Sequence, residues 1–180
     1  MKKIATFITA ILLLATATAL SAQANNDAIK KLSHSLRSHK NIELSFTYHL
    51  STDAKPSEKP KEGKAYIQDN AYKLILEDQH TICDGTTRWQ YILEDEEVMV
   101  GNATDDDNPF KILDKYERDS TGVKAILNQK NELIGLEIDI DEGLTATLNI
   151  SKMKFDQDFP ESFFKFDKKA YPNVEIIDMR

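Results

Sequence analysis

Asn41-Ile-Glu-Leu-Ser-Phe-Thr-Tyr-His-Leu50 alternates without a break, with Ile42, Leu44, Phe46, Tyr48 and Leu50 in one phase and Glu43, Ser45, Thr47 and His49 in the other. Successive side chains of an extended backbone point to opposite sides, so this period of two spells a strand with one apolar and one polar face. Such a strand needs partner strands, and the sequence supplies them further along. Before it, residues 26–39 carry Ile29, Leu32 and Leu36 at helical spacing among Lys30, Lys31 and Arg37, the pattern of an amphipathic helix resting on something apolar. After it, residues 51–62 are polar, contain Pro56 and Pro60, and read as a solvated connection.

Short alternating segments follow, split by turn residues. Residues 64–68, the turn Asp69-Asn70, and residues 71–77 with Tyr72, Leu74 and Leu76 in phase form one hairpin. Residues 81–83, the turn Asp84-Gly85, and residues 88–93 with Trp89, Tyr91 and Leu93 in phase form another, followed by an acidic turn at 94–97 and a strand at 98–100. Asn108 is placed to cap a second helix over 109–117 that starts on Pro109 and turns Phe110 and Leu113 inward. Strands return at 123–128, 133–140 and 144–155. The last changes phase between Ile150 and Met153, which predicts a bulge near Ser151. The expected fold is α+β and mainly β: a curved, incomplete antiparallel β-barrel of about ten strands, lidded by two or three helices.

The amino terminus reads as a secretory leader. Lys2 and Lys3 precede an apolar run from Ile4 to Leu20, and Ala22-Gln23-Ala24 is a small-x-small cleavage site. Residues 1–24 are therefore the expected signal peptide and 25–180 the expected functional domain. No cysteine stands at the cleavage site, so a soluble, unlipidated periplasmic protein is expected.

Composition removes most chemistry. The chain has 23 Lys and Arg against 30 Asp and Glu, a net charge of -7, and no basic stripe, so nucleic acid is not an expected partner. Cys83 stands alone, which excludes an internal disulfide and a zinc site built on cysteine pairs; a small, buried, inert thiol is expected. His34, His39, His49 and His80 show no metal-ligand spacing, and the acidic runs at 94–97 and 105–107 lack the calcium-loop pattern. No phosphate-cradling glycine loop and no nucleophile elbow occur. Neither an enzyme activity nor a metal or other cofactor is expected. What remains is apolar surface: the strands at 41–50, 71–77, 88–93 and 133–140 each carry a row of large apolar residues, with few helices to cover them. Either the helices seal a dry core or they leave a cavity for an apolar ligand; periodicity leaves both open.

Read in order, Asn41-Ile-Glu-Leu-Ser-Phe-Thr47, Gly63-Lys-Ala-Tyr-Ile67, Tyr72-Lys-Leu-Ile-Leu76, Cys83-Asp-Gly-Thr-Thr-Arg-Trp-Gln-Tyr91, Asn108-Pro-Phe-Lys-Ile-Leu113, Phe163-Phe-Lys-Phe-Asp167 and Tyr171-Pro-Asn-Val-Glu-Ile-Ile-Asp178 resemble the outer-membrane lipoprotein carrier (LolA) family of periplasmic chaperones, its lipoprotein-carrier-like branch in particular. The resemblance spans nearly all of residues 25–180. It implies a monomeric carrier that receives acylated lipoproteins from an inner-membrane release complex and passes them to an outer-membrane acceptor. It also implies an acyl-chain cavity in which Phe46, Tyr72, Leu74, Leu76, Trp89 and Tyr91 line the concave sheet and Ile29, Leu32, Phe110 and Leu113 line the lid helices. An arginine that closes the lid in the family is missing here, where Gln68-Asp69-Asn70 stands, so a different latch or a more open cavity is expected. A lipid- or lipoprotein-sensing binding module on the same fold is the second functional expectation.

Overall fold

The computed structural model describes residues 23–52, 59–104 and 108–180. Its first element is helix α1, residues 23–37, followed by β1 (Asn41–Thr52). A meander then runs through β2 (Lys61–Gln68), β3 (Ala71–Ile75), β4 (Gln79–Cys83), β5 (Thr87–Ile92) and β6 (Glu97–Asn102). Helix α2 (Pro109–Arg118) leads into a second meander of β7 (Val123–Leu127), β8 (Leu133–Asp141) and β9 (Leu144–Phe155), and the chain ends in β10 (Glu175–Asp178). The expected leader lies outside the described residues except for its last two positions, as do the middle of the expected connection at 53–58 and the acidic run at 105–107. The connection is shorter than its polarity implies, because Ser51 and Thr52 continue β1 while Lys61 and Glu62 already belong to β2.

These ten strands join one sheet in the order β10-β6-β5-β4-β3-β2-β1-β9-β8-β7. β1 stitches the two meanders together, pairing antiparallel with β2 on one side and with β9 on the other. The order does not close on itself: β7 and β10 are its two ends. Among the described residues only β10 runs parallel to its neighbour, β6. The phase slip in β9 is a bulge. Ser45 faces Lys152 and Phe46 faces Ile150, leaving Ser151 as the extra residue, and its Oγ donates to the Ser45 carbonyl at 2.9 Å. Ile150, Leu148 and Ala146 thereby share a face with Met153 and Phe155 despite their opposite parity.

Helix α2 starts as its sequence dictates. The Asn108 side-chain oxygen accepts from Phe110 N at 2.9 Å and Lys111 N at 3.3 Å, with Pro109 in the first turn, where a missing N–H costs nothing. Both helices lie on one face of the sheet. There Leu32 and Leu36 of α1 bury themselves with Ile42 and Ile67, and Phe110 and Leu113 of α2 pack against the same group beside Leu44, Tyr72, Leu136, Met153 and Phe155. The opposite face is covered at the β5–β6 end by the carboxy-terminal segment, which packs Phe166, Tyr171 and Val174 against Trp89, Tyr91, Val98 and Val100. The sheet thus carries two cores, one on each face and displaced sideways from one another.

Candidate functional site

Strand register decides which side chains share a face, because directly opposed residues point the same way. On the helix side, Ile42 faces Ile67 and Phe155, Leu44 faces Ala65 and Met153, Phe46 faces Gly63 and Ile150, and Tyr48 faces Leu148. Across β2, Ile67 faces Tyr72 and Ala65 faces Leu74, so both members of the β3 row belong to this face. Gly63 is required by close approach: a Cβ there would run into the ring of Phe46. That ring lies over the β2 backbone, and Phe46 is buried.

Of the residues expected to form the acyl site, Leu32, Tyr72, Phe110 and Leu113 meet in the helix-side core, Ile29 is buried on α1, and Phe46 and Leu74 share the sheet face below. Leu76 is half-buried one position beyond β3, in the turn where its N–H donates to the Gln79 carbonyl at 2.9 Å. The core under the helices is small. Leu44, Tyr72, Leu136 and Met153 are only partly buried, as are Leu74, Leu148 and Ile150 further along the face, and Leu50 at the end of β1 is 47% exposed. The two described helices leave a wide apolar surface incompletely covered.

Trp89 and Tyr91 correct the sequence expectation. Tyr72 faces Cys83, and Cys83 faces Arg88; Trp89 instead faces Ile82 and Val100, and Tyr91 faces His80 and Val98. Both aromatic residues therefore point away from Tyr72 and Leu74, toward the carboxy-terminal segment. The row of large side chains changes face between β3 and β5, leaving Thr81, Arg88 and Gln90 on the helix side. Cys83 also points to the helix side and is buried, as its sequence context predicts.

The covering segment was not assigned elements by its sequence pattern, although its aromatic density was a usable signal. Phe159 and Phe163 stack with ring centres 5.0 Å apart, both meet Tyr66 edge-on, and Phe164 packs edge-on against each of them. Further along, Phe166 and Tyr171 stack at 5.4 Å and enclose Tyr91. Lys73 Nζ sits 4.8 Å from the Phe163 ring centre, and burial pulls its pKa below the ordinary lysine range. His80, edge-on to Tyr91, is likewise held below its ordinary value, first by burial and then by the charge of Lys73. This face carries an aromatic core in which Val98, Val100, Val174 and Phe164 are buried beneath half-buried rings.

The helices are tied to each other and to the sheet by polar contacts. Arg37 of α1 donates to the Phe110 carbonyl at 2.9 Å, pairs with Asp114 at 2.5 Å, and lies 5.2 Å from the Phe110 ring centre. At the start of α2, Asn108 Nδ2 donates to Asn70 Oδ1 at 2.9 Å. Asn70 belongs to the β2–β3 turn, where Gln68-Asp69-Asn70 stands in place of an arginine; a short amide bridge joins turn and helix there. Two open, polar clefts flank this turn. One of about 580 Å³ is lined by Arg37, Lys40, Asn70, Asn108 and Lys111, and the other, of about 450 Å³, by Gln68, Asp84, Gly85, Glu161 and Lys165. Neither has the apolar lining an acyl chain needs. Elsewhere on the helix side, burial and the nearby Asp78 raise the pKa of the Tyr48 phenol, keeping it neutral. Among the described residues no group of three His, Cys, Asp or Glu could hold a metal ion.

No protein-family model matches the sequence, and no curated protein does. Solved structures do resemble it. An uncharacterized conserved protein from Thermus thermophilus matches with a TM-score of 0.50 at 9% identity, over 88% of this chain and 99% of its own. A LolA superfamily protein from Nitrosomonas europaea matches at 0.46 and 9% identity, over 71% and 91%, and a DUF1329 family protein from Desulfovibrio piger at 0.43 and 10%, over 84% and 99%. At 9% identity the likeness to the Thermus protein is one of fold alone.

Proposed function

We propose that the chain is a periplasmic carrier that shelters the acyl chains of lipoproteins on the helix side of its sheet and moves them from the inner to the outer membrane. The observation that carries this reading is the mismatch between the apolar face and its lid: Leu44, Tyr72, Leu74, Leu136, Leu148, Ile150 and Met153 lie on one continuous face and are only half-buried beside two helices. A monomeric globular protein gains by burying such a surface, and burying each CH₂ of an acyl chain contributes about 0.8 kcal/mol. An acyl group needs no polar recognition, so one face serves many cargoes. The motif order that resembles the LolA family supports the same reading, as does the leader-like amino terminus. The proposed site comprises Ile29, Leu32, Phe46, Tyr72, Leu74, Leu76, Phe110 and Leu113, without Trp89 and Tyr91. No step of this role requires covalent chemistry.

The test is release. Purified protein is added to spheroplasts of its host, with an unrelated acidic periplasmic protein as control, and newly made lipoproteins in the soluble fraction are measured. Release only with this protein is the expected result. No release together with undiminished fatty-acid binding would favour the sensing module; no binding of either would remove the acyl reading.

A further inference from the structure

Strand β7 is one end of the sheet, and an edge strand offers backbone donors and acceptors to any extended chain that comes alongside. Here one side chain occupies that position. Asn25 Nδ2 donates to the Val123 carbonyl at 3.2 Å, and Asn25 Oδ1 accepts the Ala125 amide at 2.6 Å. Those two backbone groups flank Lys124. An acceptor from the residue before and a donor from the residue after is the pair that one residue of a parallel neighbouring strand engages. The Asn25 amide therefore stands where a peptide would stand. Its neighbour Asn26 accepts from Ser120 Oγ at 2.5 Å, fixing the start of α1 against the turn that leads into β7.

We propose that the β7 edge is a peptide-binding edge capped by Asn25, and that the extended polypeptide following the acylated residue of a cargo displaces this cap and adds to β7 as a further parallel strand. The inference rests on the acyl-carrier reading and says where the rest of the cargo goes. β7 borders the apolar face: Val123 is buried, faces Ile138 across the register and shares the helix side with Leu136. The apolar face ends at this strand, so a chain whose acyl groups lie on that face has the β7 edge within reach. Strand addition draws its affinity from main-chain hydrogen bonds, which every polypeptide presents, so the edge accepts cargoes that share no sequence.

The experiment compares three ligands on the purified protein and its Asn25→Ala variant: palmitate, a synthetic lipopeptide with a triacylated cysteine and a short peptide tail, and the same lipopeptide with N-methylated tail amides. Removing the competing pair of hydrogen bonds is expected to tighten lipopeptide binding about fivefold. Palmitate affinity should not change, and N-methylation should cancel the gain. Equal lipopeptide affinity for both proteins, or a gain that survives N-methylation, would overturn the strand-addition proposal while leaving the carrier reading intact. Absence of palmitate binding to the unaltered protein would overturn the reading beneath it. A variant that self-associates through β7 and gains nothing for lipopeptide would overturn the proposal too, and would show that the edge pairs copies of this chain instead.

Discussion

The two faces of this sheet bury apolar side chains in different ways. On the side covered by the carboxy-terminal segment, here called the strap, Val98, Val100, Val174 and Phe164 are fully or nearly fully buried, and half-buried aromatic rings of that segment interlock over them. On the helix side, Leu32, Leu36, Ile42 and Ile67 are buried under the helices, but Leu44, Leu74, Leu136, Leu148 and Ile150 stay half-covered; besides the apolar packing, a few polar contacts tie the cover down, Arg37 to Asp114 and Phe110, and Asn108 to Asn70. Exposed or partly exposed ion pairs and hydrogen bonds of this kind contribute little each. One face is sealed over its valines by the carboxy-terminal segment, whereas the other leaves part of its apolar row uncovered by its helices.

Substitutions that separate the faces sharpen this contrast. Trp89→Ala should remove about 2 kcal/mol of stability, less than for a fully buried aromatic because Trp89 is itself half-buried, without changing fatty-acid affinity; denaturant unfolding and a binding titration check the two halves. Leu74→Asp should do the reverse, weakening fatty-acid binding at least tenfold, or about 1.4 kcal/mol, with only a small loss of stability from its half-buried position. Equal loss of binding in both variants would erase the distinction between the faces. Asn108→Ala removes the cap of α2 and its bond to Asn70 together, and should cost about 1 kcal/mol and raise hydrogen exchange in α2 while the strap side stays protected.

The smallest effect concerns pH. His80 has its folded pKa lowered by burial, with Lys73 adding repulsion, so the unfolded chain binds more protons below the ordinary value of 6.5. Its contribution is therefore unpenalised above that pH and becomes unfavourable as pH falls through and below it. His80→Gln should flatten that part of the stability profile in urea unfolding at a series of pH values. An unchanged slope would place the titration elsewhere.

Much of the architecture was legible in the sequence because it rests on local periodicity. The unbroken alternation of 41–50, the Asn108-Pro109 helix start and the phase slip at Ser151 each specify geometry within a few residues, and each has its structural counterpart. The face occupied by Trp89 and Tyr91 was not legible. Alternation says that Trp89, Tyr91 and Leu93 share a side, but which side depends on register across β3, β4 and β5, and a shift of one residue exchanges the two faces. Only the pairing of Cys83 with Tyr72 and Arg88 decides it. The carboxy-terminal strap escaped for another reason. Phe159, Phe163, Phe164, Phe166 and Tyr171 follow neither helical nor strand spacing, since 3₁₀ turns at Glu161–Phe164 and Lys168–Ala170 aim them at the sheet. The Asn25 cap on β7 joins residues 100 positions apart and has no local signature.

The most direct test of the central claim is paramagnetic broadening in methyl NMR spectra on addition of nitroxide-labelled stearate. The account predicts that the methyl signals of Leu44, Leu74, Leu136 and Leu148 broaden, while those of Val98, Val100 and Val174 remain sharp. Broadening confined to the valines beneath the strap, or no broadening on either face, would contradict it.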